Sequence, residues 1–250
     1  MNIKRIDYKE IDSTNLEAAR LATGGAAEGT LVVADAQTAG RGRRGRQWES
    51  PQGAAIYMSL ILRPEAEPER VSGLTLVMAL AVVQALEKLG LSGCQIKWPN
   101  DIVMNRKKLC GILTELHMEN GKVSDVIIGV GINVNQECFI SEIASTATSI
   151  YVETGRRIDK DVLIDAVISA FAQNYSIYQK TYDMTNLRED YHAFLANRNH
   201  EVRVLDPKGE YEGIALGINL RGELLVRKQD DTIEEVYAGE VSVRGIYGYI

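Results

Sequence analysis

Gly40-Arg41-Gly42-Arg43-Arg44-Gly45 matches the GxGxxG pattern at the end of a short β-rich run (30–35), yet the residues after it forbid the fold that this pattern usually signals. A dinucleotide-binding unit needs those glycines to open a helix whose N-terminus holds a pyrophosphate. Here the chain continues Arg46-Gln47-Trp48-Glu49-Ser50-Pro51-Gln52-Gly53, with proline and glycine where the helical turns belong. A P-loop is excluded as well, because no Gly-Lys-Ser/Thr comes after the glycines. What remains is a loop with four arginines in the seven residues 40–46, inside a chain of formal net charge −6. Like charges this dense repel one another, so the loop either stays solvated or receives an anion. The interleaved glycines let main-chain N–H groups come close to an oxyanion.

The rest of the 250 residues is ordinary for a globular chain, 45% hydrophobic and 25% charged, enough for one large domain and a small appendage. A sequence pI near 5.3 argues against general nucleic-acid affinity, which needs a broad basic surface. Cys94, Cys110 and Cys138 have neither disulfide-framework nor zinc-site spacing, which points to a reduced, cytoplasmic compartment. The N-terminal 15 residues lack the apolar run of a signal peptide. The most apolar stretch, 74–86, is too short to span a bilayer and reads as a buried helix, so no membrane association is expected.

Hydrophobic periodicity predicts a helix after Ser13-Thr14-Asn15, strands at 30–35 and 55–62, and a helix over 68–89. Four strand-like segments come next at 95–97, 102–105, 109–118 and 123–134, then helices at 159–179 and 187–196. Asn105-Arg106-Lys107 and Glu119-Asn120-Gly121 read as hairpin turns and favour a mixed or antiparallel sheet. From Glu201 the texture changes to short strands separated by Pro207-Lys208-Gly209, 219–222 and Asp230-Asp231, which predicts a small β-barrel. The expected architecture is α+β, with residues 1–198 as the main domain and 199–250 as the barrel.

Several polar groups punctuate this framework. Ser13, Thr14 and Asn15 stand at a helix entrance, where simple capping is one reading. Lys97-Trp98-Pro99-Asn100-Asp101 puts a rigid turn at a strand end, holding Lys97 and Asp101 in fixed positions or serving only as a charged surface turn. Lys107-Lys108-Leu109-Cys110-Gly111 sets a lysine at the mouth of an apolar strand, and regular alternation would send Lys108 and Cys110 to one side. Gly129-Val130-Gly131-Ile132-Asn133 allows close approach of a ligand to the backbone and offers one amide.

Taken in order, Ser13-Thr14-Asn15, the segment from Gln37 to Arg46, Lys97 to Asp101, Lys108 to Gly111 and Gly129 to Asn133 resemble the catalytic domain of biotin–protein ligases. The resemblance covers nearly the whole chain, including Ala238 to Gly245 in the closing barrel segment. It implies a class II synthetase-like fold and a two-step reaction. Biotin and ATP give biotinyl-5′-adenylate and pyrophosphate, with Mg2+, and a lysine of a biotin carboxyl carrier domain, as in acetyl-CoA or pyruvate carboxylase, then takes the biotin.

Carried over onto this sequence, the resemblance assigns Ser13, Thr14 and Gln37 to the biotin ureido ring, with Asn15 beside them. Arg41, Gly42 and Arg43 would close over biotin and adenylate, in a loop running from Gly40 to Arg46. Lys108 would contact the carboxylate and α-phosphate, and Lys97 belongs to the same binding set. Trp48 and Asn133 would recognise adenine, and Gly111, Gly129 and Gly131 would let backbone lie against ligand. Lys108, Arg43 and Asp101 form the expected catalytic set, Asp101 orienting or deprotonating the incoming amine. No side chain is assigned to a metal. Cys110 stands where a small residue is common in the family.

The Ser-Thr-Asn motif begins at residue 13, so a monofunctional ligase without a DNA-binding domain is expected. The resemblance also allows a homodimer paired through sheet edges, which the sequence itself leaves open. A lipoate–protein ligase or octanoyltransferase shares the fold, but the polar set Ser13, Thr14 and Gln37 suits the ureido ring of biotin. A non-catalytic nucleic-acid-binding protein fits the acidic balance poorly.

Overall fold

The computed structural model describes residues 1–206, 209–238 and 242–245. In chain order it contains β1 (Lys4–Ile11), α1 (Thr14–Thr23), β2 (Thr30–Gln37), β3 (Ala55–Leu62), α2 (Pro68–Val71), α3 (Gly73–Lys88), β4 (Cys94–Lys97), β5 (Asp101–Met104), β6 (Lys107–Glu119), β7 (Lys122–Asn133), α4 (Ile150–Thr154), α5 (Lys160–Tyr178) and α6 (Arg188–Phe194). Five strands complete the chain: β8 (Glu201–Leu205), β9 (Tyr211–Ile218), β10 (Leu224–Arg227), β11 (Ile233–Val236) and β12 (Ser242–Gly245).

Strands β1 to β7 form one sheet in the order β1-β2-β3-β7-β6-β5-β4, with β1 and β2 parallel and every other pair antiparallel. A parallel pair needs a crossover, which α1 supplies. Strand β3 lies between β2 and β7 and is buried along its whole length, as its apolar run requires. On one face Ala18 and Ala22 of α1 pack against Val32, Ile61 and Ile127. The opposite face, carrying Leu31, Met58, Leu60 and Ile128, joins α3 and α5 in the main core. The hairpin turns shrink to two residues each. Asn105 and Arg106 (φ 46° and 65°) join β5 to β6, and Asn120 and Gly121 (φ 51° and 76°) join β6 to β7, the left-handed pairs that tight hairpins demand.

The helix expected over 68–89 is broken at Ser72 into α2 and α3. The Tyr178 hydroxyl donates to the Arg70 carbonyl at 2.6 Å, and a Cβ on Gly73 would lie 2.2 Å from that hydroxyl. By length and composition 68–88 resembles a membrane span, but it is mostly buried within the protein core.

The C-terminal strands form a separate antiparallel sheet, β11-β10-β9-β8-β12. A small barrel is expected there; among the described residues no ladder joins β11 to β12. Pro207 and Lys208 of the expected turn, and 239–241 of the closing segment, lie outside the described residues. The two sheets are joined through Trp98, whose indole Nε1–H donates to the Gly222 carbonyl (3.0 Å) and whose backbone N–H donates to Asn197 Oδ1 (3.1 Å).

A second junction predicts pH-dependent stability. The Ile218 backbone N–H donates to Nε2 of His192 at 2.9 Å, which requires the unprotonated nitrogen. Burial holds the His192 pKa below its usual 6.5; Arg198 and Arg188 push the same way and Glu189 opposes them. The unfolded chain therefore binds the extra proton first, so this contribution is complete above about pH 6.5 and is lost as pH falls below it. Thermal melts from pH 8 to 5 should show a fall in Tm that is shallower in His192→Gln. Parallel curves for the two proteins would remove His192 as the cause.

Candidate functional site

The cleft opens on the α1 face of the main sheet, where three strands are in register. Tyr57 of β3 faces Gly131 of β7, which faces Gly111 of β6; two residues along, Ser59 faces Gly129, which faces Leu113. The glycines clear this floor for specific neighbours. A Cβ on Gly111 or Gly131 would lie 2.7 Å from the Trp48 ring, so the indole rests on a ledge that any side chain would destroy. A Cβ on Gly129 would lie 2.0 Å from Asn15 Oδ1.

One end of the cleft is polar and uncharged. Ser13 has extended backbone (φ −158°, ψ 136°) and its side chain makes no cap to α1, so simple capping does not explain this triplet. Instead the Thr14 backbone N–H and hydroxyl both bond Gln37 Oε1, at 2.8 and 3.1 Å. Ser59, fully buried in an otherwise apolar strand, lies 2.8 Å from Thr14 Oγ1 and 2.6 Å from Asn15 Oδ1 and has one proton to give to either. Asn15 Nδ2 in turn donates to Glu115 Oε2 at 2.6 Å. Asn15 is therefore committed to the cleft wall.

The arginine loop forms a hairpin over the cleft. Gly42 N–H donates to the Arg46 carbonyl (2.7 Å), Trp48 N–H donates to the Gly40 carbonyl (3.0 Å), and a short 3-10 turn at Arg43–Gly45 makes the tip. Gly40 is required for close approach, because a Cβ there would lie 2.5 Å from the Trp48 carbonyl. Arg41 pairs with Glu115 at 3.2 Å. The Arg43 guanidinium donates to Asn100 Oδ1 at 2.9 Å and to the Ala238 carbonyl, tying the hairpin to the turn after β4 and to the C-terminal segment. Burial lowers the Arg43 pKa from its usual value, an effect that Asp101 opposes.

The other end is cationic. Lys108 Nζ lies 2.7 Å from Asp101 Oδ1 and 5.2 Å from the Trp48 ring centroid. It shares the cleft side with Gly111 because the register slips between Ile102 and Val103, making a bulge at Leu109. Cys110 is consequently turned into the core and fully buried, on the opposite side from Lys108, which corrects the simple alternation read from sequence. Lys97 is the cross-strand partner of Asp101, and the two line a second cavity with Arg44, Arg46, Lys108 and Arg244. Burial brings the Lys97 ammonium down to about 8; Lys108, Arg244 and Arg46 push the same way, while Asp101 opposes them.

Lys108 and Trp48 thus sit where the cleft and the cationic cavity meet. Of the residues singled out in the sequence, Ser13, Thr14, Asn15, Gln37, Arg41, Gly42, Arg43, Trp48, Lys108, Gly111, Gly129 and Gly131 line the cleft. Lys97, Arg46 and Asp101 line the second cavity. Asn133 stands apart, buried, with its amide Nδ2–H donating to the Thr148 carbonyl at 2.9 Å. Sequence reasoning missed Ser59, Glu115, Asn100 and Tyr57. The signal for Ser59 and Glu115 was a polar residue inside an apolar strand. Among the described residues no group of three or more His, Cys, Asp or Glu side chains is disposed to hold a metal ion.

Comparison with known proteins agrees with this geometry. The profile of the biotin/lipoate A/B protein ligase family matches residues 6–133, and that of the biotin protein ligase C-terminal domain matches 199–244. The bifunctional ligase/repressor BirA of Bacillus spizizenii is 41% identical over 235 residues, covering 93% of this chain and 72% of that protein. The biotin–[acetyl-CoA-carboxylase] ligase of Paracoccus denitrificans is 34% identical over 224 residues, covering 86% and 91% respectively. The biotin protein ligase of Aquifex aeolicus in complex with biotin and ATP superposes with a TM-score of 0.86 at 33% identity, covering 97% of this chain and 99% of that one. A mixed sheet with flanking helices, a glycine-floored cleft under an arginine hairpin, and matches across both segments lead to one conclusion: the chain belongs to the biotin/lipoate A/B protein ligase family.

Proposed function

We propose that the chain is an ATP-dependent biotin–protein ligase that makes biotinyl-5′-AMP and passes the biotin to a lysine of a biotin carboxyl carrier domain. The observation that carries this reading is the position of Lys108, which lines both a cleft whose far end is neutral and hydrogen-bonding and a cationic cavity. The ureido ring of biotin is polar and uncharged, which suits Ser13, Thr14 and Gln37. Its carboxylate would reach Lys108, and the phosphates would extend toward Lys97, Arg44 and Arg46. There the carboxylate oxygen attacks the α-phosphorus, the bond to the β-phosphate oxygen breaks, and pyrophosphate leaves. Both partners are anions, so fixed cations offset their repulsion and stabilise the charge that develops.

In the second step the carrier amine attacks the biotinyl carbonyl, an amide bond forms and AMP leaves. Asp101 is bracketed by Lys108 and Lys97, an arrangement that favours orientation of Lys108 over deprotonation of the amine. Trp48 on its glycine ledge would contact adenine. Asn133, whose amide hydrogen is directed to Thr148, would accept from the exocyclic amine through Oδ1. Mg2+ would arrive with the triphosphate, held by phosphate oxygens and water.

The same proposal assigns 1–198 to the ligase domain and 199–250 to the C-terminal domain, puts the protein in the cytoplasm, and pairs two copies along a sheet edge. It gives none of the 250 residues a role in binding DNA. Incorporation of labelled pyrophosphate into ATP is expected only when biotin is present. Exchange driven by lipoate and not by biotin would overturn the reading.

A further inference from the structure

From the hydrogen bonds behind Lys108 we infer that Thr148 and Glu153 are positioning residues, which hold Lys108 and Asn133 in a fixed relation and so set both the rate of the first step and the preference for adenine. Lys108 occupies an irregular place in the sheet. The ladder between β6 and β7 runs out at Cys110 and Ile132, and the register of β5 against β6 slips at Leu109. A bulge re-aims side chains, so the direction of Lys108 depends on what holds its backbone there. What holds it is the segment 146–148, which lies between β7 and α4 outside any helix or strand. The Lys108 N–H donates to the Thr146 carbonyl at 2.7 Å, and the Thr148 N–H donates to the Lys108 carbonyl at 2.9 Å. Both main-chain groups of the lysine are committed to three residues that run parallel to it.

The same segment holds Asn133, the last residue of β7. Its amide Nδ2–H donates to the Thr148 carbonyl at 2.9 Å, so a shift of Thr148 disturbs Lys108 and Asn133 together. Thr148 is fully buried, and its hydroxyl donates to Glu153 Oε1 on α4. Glu153 Oε2 accepts from Asn105 Nδ2 at 2.5 Å, in the turn that joins β5 to β6. One carboxylate thus clamps the segment to the hairpin that carries Lys108, through hydrogen bonds of the stronger, charge-assisted kind. Neither Thr148 nor Glu153 lines the cleft or the second cavity, so each acts through Lys108 and Asn133. The inference rests on the proposed function, which gives Lys108 to the α-phosphate and Asn133 to adenine.

In the test, Thr148→Val keeps the shape and removes the hydroxyl, Glu153→Ala removes the carboxylate, and Thr148→Ser keeps a hydroxyl. Pyrophosphate exchange by the full-length protein is measured at saturating biotin with ATP and with inosine triphosphate, which carries a carbonyl where adenine has its amine. In Thr148→Val and Glu153→Ala, kcat with ATP should fall about tenfold, because small misplacements of a reacting group are costly. The preference for ATP over inosine triphosphate, as a ratio of kcat/KM, should fall about three- to tenfold. Biotin affinity should stay within about threefold, and Thr148→Ser should regain most of both losses. An unchanged ratio overturns the inference even if kcat, Tm and biotin affinity fall together, because a merely structural loss slows both nucleotides alike. A lower ratio with unchanged kcat overturns it too, since Lys108 is then held by other means. If biotin supports no exchange in the unaltered protein, or the two nucleotides serve equally, the proposed function has failed at that point and the clamp is read without substrate. Amide hydrogen exchange at Lys108 and Thr148 should then be about tenfold or more faster in Thr148→Val, and unchanged rates would overturn the clamp.

Discussion

Lys108→Ala is expected to lower biotin-dependent pyrophosphate exchange by about a hundred- to a thousandfold while changing biotin affinity by less than about tenfold. The asymmetry comes from position. Lys108 is at the meeting point of the two cavities, 2.7 Å from Asp101 and next to Trp48, not among the neutral groups at Ser13, Thr14 and Gln37. A cation there matters most when carboxylate and phosphate charge converge, so its loss is felt more in the transition state than in bound biotin. The substitution also strips Asp101, only 8% exposed, of one of its cationic neighbours, so a lower Tm is expected alongside. Lys108→Arg separates the two effects. It keeps a charge for Asp101 and should recover the Tm, but a planar fork cannot reproduce an ammonium at that point, so exchange should stay low. Equal losses of biotin affinity and exchange rate in Lys108→Ala would reduce Lys108 to a ligand anchor.

How much of this could be read from the chain depends on how local each cause is. The Asn120-Gly121 turn was legible because a two-residue hairpin needs left-handed backbone, and those residue types supply it. Strand β3 was legible because eight consecutive apolar or small residues suit a strand covered on both faces. The interruption at Ser72 was not: Ser72 keeps right-handed helical backbone, and the Arg70 carbonyl just before it accepts from the Tyr178 hydroxyl, which comes from a helix about a hundred residues away. The facing of Cys110 was misread for a similar reason. A one-residue bulge at Leu109 reverses the parity of everything beyond it, and a bulge is a property of two strands together.

The site divides along the same line. Arg43, Lys108 and the glycines stood out by residue type and spacing, and the structure brings them to one cleft. Ser59 and Glu115 act only through residues from other elements, so the one local signal, a polar residue inside an apolar strand, did not say what they would bond. Gly129 was legible as a point of close approach, but what approaches it most closely is Asn15, a side chain of the protein itself. Ser13, Thr14 and Asn15 looked like a cap because they precede a helix. They are a wall of the cleft because that helix begins over Gly129 and Ser59.

Arg43→Gly should uncouple making the adenylate from keeping it. The guanidinium makes two of the contacts that hold the hairpin down, to Asn100 Oδ1 beside the cationic cavity and to the Ala238 carbonyl in the C-terminal segment. Hydrogen bonds from a charged donor contribute roughly 1.5–3 kcal/mol each, and partial exposure trims this, so adenylate release should rise about ten- to a hundredfold. Glycine also adds freedom to a tip that already contains Gly42 and Gly45. The chemistry of the first step depends more on Lys108, so pyrophosphate exchange should fall far less than in Lys108→Ala. A reactive anhydride released before a carrier docks will acylate whatever amine it meets. Biotin should therefore appear on lysines of an added bystander protein, in proportion to adenylate released, while transfer to the carrier persists. Arg43→Lys tests the geometry: one ammonium cannot reach both Asn100 and Ala238 as the forked guanidinium does, so intermediate release is expected. Wild-type retention of adenylate in Arg43→Gly, with bystander labelling no higher than background, would show that the hairpin is held by its other contacts, Arg41 to Glu115 first among them.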